Sequence, residues 1–316
     1  MAYDVVIVGG GPAGLNAALN LGRARRAVLL CDAGTPRNVA AKHMHGFASR
    51  DGIPPPEFRR ISREQLQRYK NVEVRDTRVG SVEPHVGGFR VALGDGTTVE
   101  ARRILVAVGM EDVMLDIPGY KELWGTSIYQ CPFCHGWEVQ DEPFGVLATE
   151  PAYLDYAIMV QGWSRDLTVF THGSFEVPPE QRERLHHLGL RLEERKIRAL
   201  HGKDGHLEEV ELEDGTRVAR RVMFSAPPQR QPELVIRLGL ALDEQGFVKV
   251  NGMGETSVPG ISAAGDTTTR MQVAVMAASA GGLAGAVMSH GLAMEDADRR
   301  YTAATGKPPP AKQKPH

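Results

Sequence analysis

A continuous β-branched run, Asp4-Val5-Val6-Ile7-Val8, leads directly into Gly9-Gly10-Gly11-Pro12-Ala13-Gly14. This junction restricts the fold more than any other stretch of the chain. An apolar run of this kind suits a parallel strand buried on both faces. Glycines at 9, 11 and 14 permit a tight turn and let backbone N–H groups approach a pyrophosphate at the N-terminus of the following helix. That helix is expected from Leu15 to about Arg25, and a second apolar strand, Ala27–Cys31, ends at Asp32. The result is a βαβ unit with an acid roughly 20 residues past the glycines, placed to hold a ribose hydroxyl pair.

The rest of the chain repeats the pattern. A His/Gly-rich loop over 33–53 and Pro54-Pro55-Pro56 precede a charged helix from about Glu57 to Lys70. Short strands are expected at Val72–Val74, Val79–Pro84, Phe89–Leu93 and Thr98–Ala101, and a buried one over Arg103–Gly109. Ile117-Pro118-Gly119 reads as a linker. A second α/β series then runs through Phe144–Ala148, Ala152–Gln161, Asp166–Thr171, Gln181–His187 and Val222–Ala226. The chain returns by Gly246–Val250 to Val258–Asp266 and a buried Ala/Met/Gly-rich helix from Gln272 to about His290. Pro308-Pro309-Pro310 and three lysines give the tail from Lys307 the composition of a disordered segment. With 316 residues there is room for two domains of about 100–200 residues each.

Cys131-Pro132-Phe133-Cys134 is the segment that carries chemistry. Three cysteines, two of them in a CxxC, argue for a redox or metal role in a reducing compartment and against a secreted disulfide scaffold. A zinc half-site needs two further ligands, and the remaining cysteine, Cys31, ends a Rossmann strand. A glutaredoxin-like motif belongs near the start of a small thioredoxin fold, which the flanks do not provide. Pro132 suits a first helical position, and the helix start favours a Cys131 thiolate. His135 stands where an imidazole can take a proton as thiol becomes thiolate; the alternative is an orienting or structural role. Cys31 reads as an inert core thiol rather than a third redox centre. His43 and His45 lack a Cys or carboxylate cluster nearby, so no metal is expected. A net charge of -2, no basic segment ahead of Tyr3 and no apolar run of about 18 residues point away from nucleic acid and membrane, to a cytoplasmic enzyme.

The fingerprint, Val106-Ala107-Val108-Gly109, the CxxC and Ala264-Gly265-Asp266, in that order, resemble the low-molecular-weight thioredoxin reductase family of flavoproteins, from Tyr3 to about His290. The resemblance implies two Rossmann-like, three-layer α/β domains, the second inserted in the first. The FAD domain would be 1–117 plus 246–292, the insert with the CxxC 118–245, and 293–316 a partly disordered tail. It assigns Gly9, Gly11, Pro12, Ala13, Gly14, Asp32, His43, His45, Val79, Gly109, Gly265, Asp266, Gln272 and Val273 to FAD, with the loop of His43 and His45 beside the flavin ring. Asp266 falls on the ribityl chain and Gln272-Val273 at the pyrimidine end. Cys134 would face the flavin and Cys131 exchange with substrate. Family members are homodimers.

Cys131-Pro132-Phe133-Cys134-His135-Gly136-Trp137-Glu138 is similar to the branch that includes dithiol oxidases of disulfide-containing natural products, as is His45–Gly52. Typical thioredoxin reductases have Asp where this chain has His135, and Arg-Gln-Ala where it has Met271-Gln272-Val273. In the insert, a glycine-rich turn is replaced by Ala148-Thr149-Glu150-Pro151-Ala152-Tyr153, and His-Arg-Arg by His172-Gly173-Ser174. Lost charge-assisted hydrogen bonds and an added carboxylate weigh against NAD(P)H binding. The expected function is an FAD-dependent thiol–disulfide oxidoreductase with catalytic Cys131, Cys134 and His135, run as a dithiol oxidase with dioxygen as acceptor. Its partner would be a small dithiol or a thioredoxin-like protein. Two alternatives stand: a thioredoxin reductase-type enzyme fed by NAD(P)H or another donor, and a non-catalytic redox-sensing flavoprotein.

Overall fold

The computed structural model describes residues 2–310, which divide into two compact units, 2–37 with 56–110 and 231–310, and 38–55 with 111–230. In the first, the strand Ala2–Val8 runs parallel to Val28–Cys31 on one side and to Thr98–Val106 on the other, with Val72–Arg75 beyond Val28–Cys31. Thr98–Val106 is one strand where two were expected. Its first half pairs antiparallel with Gly88–Leu93, and its second half pairs parallel with Ile261–Ala263 along the same edge. Sharing one edge between two partners is what hid its continuity from local patterning. Val5, Val6 and Ile7 are fully buried, as expected of a strand covered on both faces.

The helix Pro12–Arg23 covers one face together with the long helix Ala274–Thr305. Their close approach is set by small residues: a Cβ on Gly281 would lie 2.0 Å from the Ala13 carbonyl oxygen, and one on Gly285 3.0 Å from that of Ala17. Asn16 and Asn20 donate to the carbonyls of Ala278 and Gly282 across this seam. By length and composition the long helix could span a membrane, but this apolar seam is where it buries Ala277, Ala284, Met288 and Leu292. It also continues well past His290. Arg26, Arg102 and Arg103 hold Glu295 and Asp296 in a charge cluster, so residues 293–305 are helix and not tail. Residues 311–316 of the expected disordered end lie outside the described residues.

The second unit contains a parallel sheet in the order Arg191–Glu193, Leu167–Phe170, Phe144–Leu147, Val222–Ser225, Ile128–Tyr129. An antiparallel three-stranded sheet, Ile197–Lys203, His206–Leu212 and Arg217–Ala219, accompanies it. The unit borders depart from those expected. The chain crosses at 110/111 and 230/231 because Glu111–Asp112 pairs with Gln229–Arg230 in a short ribbon that belongs to the second unit. Residues 231–245 return to the first, where Leu234, Val235 and Leu240 enter its core. The loop 38–55 also groups with the second unit, for a reason visible at the site below.

Candidate functional site

The strand ends Val8, Val106 and Ala263 meet at one crevice of the first unit, outside the carboxyl edge of a parallel sheet, where ligands of such folds bind. Gly9 has φ +116°, and a Cβ there would stand 2.1 Å from the Ala107 carbonyl oxygen. A Cβ on Gly14 would sit 1.9 Å from the Gly9 carbonyl oxygen, so helix and strand pack at backbone contact. Gly11, by contrast, faces open space. It is the N-cap of the helix, Pro12 fills the first position, and no side chain caps the end. Free N–H groups beside open space are what a pyrophosphate requires.

Asp32 is 5% exposed. Its Oδ1 accepts the Gly34 N–H at 2.9 Å and its Oδ2 pairs with Arg59 Nη2 at 2.5 Å. Arg59 Nε is buried and has no hydrogen-bond partner among the described residues, leaving a donor beside the Asp32 carboxylate. Gly265, at φ +85°, brings the turn before Asp266 against Ala13, 3.0 Å from where its Cβ would be. Arg37 joins two of the predicted residues: its Nη1 donates to Gln272 Oε1 at 2.5 Å and lies 3.7 Å from Asp266 Oδ2. Val273 is the N-cap of the long helix, again without a side-chain cap. Gly109, at φ +70°, faces open space, and Val79 is a core residue whose side chain is spent in packing. These groups fit FAD. Arg37 and Arg59 were not foreseen, because each reaches its partner from a segment with no motif of its own.

In the second unit Cys131 and Cys134 form a disulfide with Cα atoms 5.2 Å apart. Cys131 is the N-cap of a single helical turn, Pro132–His135, with Pro132 at its first position as read from the sequence. The turn sends His135 inward against Tyr129, ring centroids 4.3 Å apart and planes 10° from parallel. Neither ring nitrogen of His135 has a hydrogen-bond partner among the described residues. Burial pushes its pKa below the usual histidine range. The Cys131 carbonyl and the Glu138 charge oppose this, the former without closing a hydrogen bond. A buried imidazole with both nitrogens uncommitted, next to a redox cysteine, is available to take up and return a proton.

His45 explains the placing of the loop 38–55. Its Nε2 lies 3.4 Å from Glu138 Oε1 and its Nδ1 3.4 Å from Asp51 Oδ1, so the ring links this loop to the cysteine segment. Met44 closes the loop by bonding with Ile53, and the Gly46 N–H holds the Asp51 carboxylate below its usual range. His43 is exposed, its ring 6.2 Å from that of His45.

Where a second dinucleotide would enter, the turn after Leu147 is self-contained. The Tyr153 N–H donates to the Glu150 carbonyl at 3.1 Å and the Leu154 N–H to that of Pro151 at 3.0 Å. His172 Nδ1 accepts the Ile197 N–H at 2.9 Å, and burial lowers its pKa, so it is a neutral structural histidine.

A Rossmann-type FAD site and a redox-active cysteine pair define a flavin-dependent thiol–disulfide oxidoreductase. Residues 3–281 match the model of the pyridine nucleotide-disulphide oxidoreductase family, and the chain belongs to that family, among its thioredoxin reductase-like members. It is 34% identical to thioredoxin reductase tcpT of Claviceps purpurea over 298 residues, 90% of this chain and 93% of that protein. Thioredoxin reductase sirT of Leptosphaeria maculans is 33% identical over 301 residues, 90% and 92% of the two chains. Among solved structures, HlmI is 36% identical with a TM-score of 0.90, covering 97% of this chain and 98% of that one. A putative thioredoxin reductase TrxB from Bacillus anthracis is 33% identical with a TM-score of 0.89, covering 93% and 99%.

Proposed function

We propose that this oxidoreductase works as a dithiol oxidase, with Cys131, Cys134 and His135 as its catalytic residues and dioxygen as final acceptor. The observation that carries the reading is the contrast within the second unit. Its cysteine turn has an uncommitted imidazole beside the disulfide, while the Tyr153 and Leu154 N–H groups in the first turn of its dinucleotide helix are bonded to the carbonyls of Glu150 and Pro151. One thiol of the substrate gives its proton to His135 and attacks Cys131 Sγ as thiolate, breaking the Cys131–Cys134 bond and releasing Cys134 as thiolate. The second substrate thiolate displaces Cys131, giving a substrate disulfide and two reduced cysteines. Gly11, Asp32 and Asp266 would hold FAD, which would supply the two-electron route between the cysteine pair and dioxygen, with dioxygen reduced to hydrogen peroxide. A cytoplasmic homodimer goes with this reading.

The similarity to thioredoxin reductases favours a second reading, reduction of a thioredoxin-like protein, with NAD(P)H as donor. Anaerobic stopped-flow absorbance of the oxidised flavin band decides between them. Rapid bleaching by a small dithiol and none by millimolar NADPH or NADH is expected, with oxygen uptake matched by peroxide in air. Fast bleaching by NADPH overturns the oxidase.

A further inference from the structure

The turn that buries His135 sends two large aromatic rings the other way. Phe133 is 68% exposed and Trp137 71%. They are four residues apart, and Gly136 between them keeps helical dihedrals (φ -64°, ψ -32°), so both side chains stand on one face of the cysteine turn. A single exposed ring is ordinary, whereas two large exposed rings on one face form an apolar patch of the kind that marks a binding site. The Phe133 ring is also braced. It meets Trp163 edge-on, centroids 5.2 Å apart at 89°, and Trp163 can come that close only because Gly136 lacks a Cβ, which would stand 2.8 Å from its Cδ1.

We propose that Phe133 and Trp137 form a recognition platform for a small, flat, uncharged dithiol, setting the specificity of the proposed oxidase site. Two rings of this size offer roughly 300 Å², enough to cover one face of a small molecule. A stable protein interface needs about 800 Å² from each partner. Charge points the same way. From Glu122 to Ser164 the chain has no Lys or Arg, and it carries Glu122, Glu138, Asp141, Glu142, Glu150 and Asp155. An anionic dithiol is therefore disfavoured at this segment, and a neutral π-bearing one stacks without penalty.

The inference rests on the dithiol reading, and its test separates the two. Anaerobic flavin reduction is measured with 1,2-bis(mercaptomethyl)benzene, dithiothreitol, dihydrolipoate and reduced thioredoxin, for the native chain and for Phe133→Ala and Trp137→Ala. The native protein is expected to favour the aromatic dithiol over dithiothreitol, and dithiothreitol over dihydrolipoate. Each substitution should lower the aromatic-to-aliphatic ratio of kcat/KM about 3–10-fold, the worth of one aromatic contact. Ratios unmoved by either substitution sink the platform, as does a loss confined to thioredoxin, which would make the rings a protein-docking surface. Binding of the closed aromatic disulfide, followed by tryptophan fluorescence, needs no turnover. Quenching that Trp137→Phe reduces, without flavin reduction by any dithiol, upholds the platform while overturning the oxidase.

Discussion

The imidazole of His135 lies flat against the phenol of Tyr129, 4.3 Å between ring centroids, and the tyrosine hydroxyl is held in turn by the Thr126 carbonyl. The stack keeps the imidazole dry and fixes its plane while leaving both nitrogens free. A buried base of this kind is neutral where an ordinary histidine begins to charge.

The pH dependence follows in sign from that burial. The folded protein holds His135 below its ordinary value of 6.5, so the acid limb of dithiol-driven flavin reduction is expected on the acid side of 6.5. Tyr129→Leu should wet the ring and move the limb up towards the ordinary value. His135→Ala should remove the limb and slow reduction roughly 10²–10⁴-fold. Below about 6.5 the unfolded chain binds a proton at this residue that the folded one refuses, so His135 costs stability progressively as pH falls. Rate profiles and thermal melts of the three proteins across pH check all of this. A limb unmoved by Tyr129→Leu refutes the stacking account.

The two cysteines should trap substrate differently. In Cys134→Ser, Cys131 is expected after oxidation to hold a monothiol analogue of the substrate, which lacks the second thiolate that would displace it, as a stable mixed disulfide seen as a mass increase on the intact chain. Cys131→Ser should trap far less. Equal adducts on both would reverse or abolish the assignment of Cys131 as the exchanging sulfur.

Gly14→Ala tests the helix–strand contact under the pyrophosphate. Its Cβ would stand 1.9 Å from the Gly9 carbonyl oxygen, so the helix must shift. A loss of roughly 1–3 kcal/mol of stability is expected, the usual range for overpacking, together with FAD. Chromatography of flavin released from the purified protein measures the second effect, and retention of a full complement of FAD would falsify the placement of the fingerprint.

Arg37 is the cation shared by Asp266 and Gln272. Arg37→Gln removes positive charge from the side of the crevice where reduced flavin would gather negative charge. The flavin midpoint potential should therefore fall, by about 30 mV if the interaction is worth about 1.4 kcal/mol. A potential that stays put or rises would show that Arg37 only braces the two side chains.

Much of this protein was legible in order along the chain. The β-branched run before Gly9, the glycine spacing, Asp32 and the CxxC act through local backbone geometry, which short sequence patterns encode directly. The same holds for the missing glycine after Leu147, whose consequence is a turn that bonds to itself. The helix after His290 was harder, because its Glu295 and Asp296 are stabilised by Arg26, Arg102 and Arg103, 192 to 270 residues away in the chain. The unit borders depended on a pairing of Glu111 with Arg230 and on three apolar residues, Leu234, Val235 and Leu240, too few to mark a segment as core.

The chemistry of the site divides along the same line. Which residues could react was already decided by identity and spacing: two cysteines, an adjacent imidazole and a flavin fingerprint. How each behaves was decided by the fold. His135 is buried and uncommitted because Tyr129 and the turn geometry exclude water from it. His45 serves Glu138 and Asp51 because a loop closed by Met44 and Ile53 carries it to the cysteine segment. Burial and pairing are properties of contacts between distant segments, and those exist only once the chain has folded.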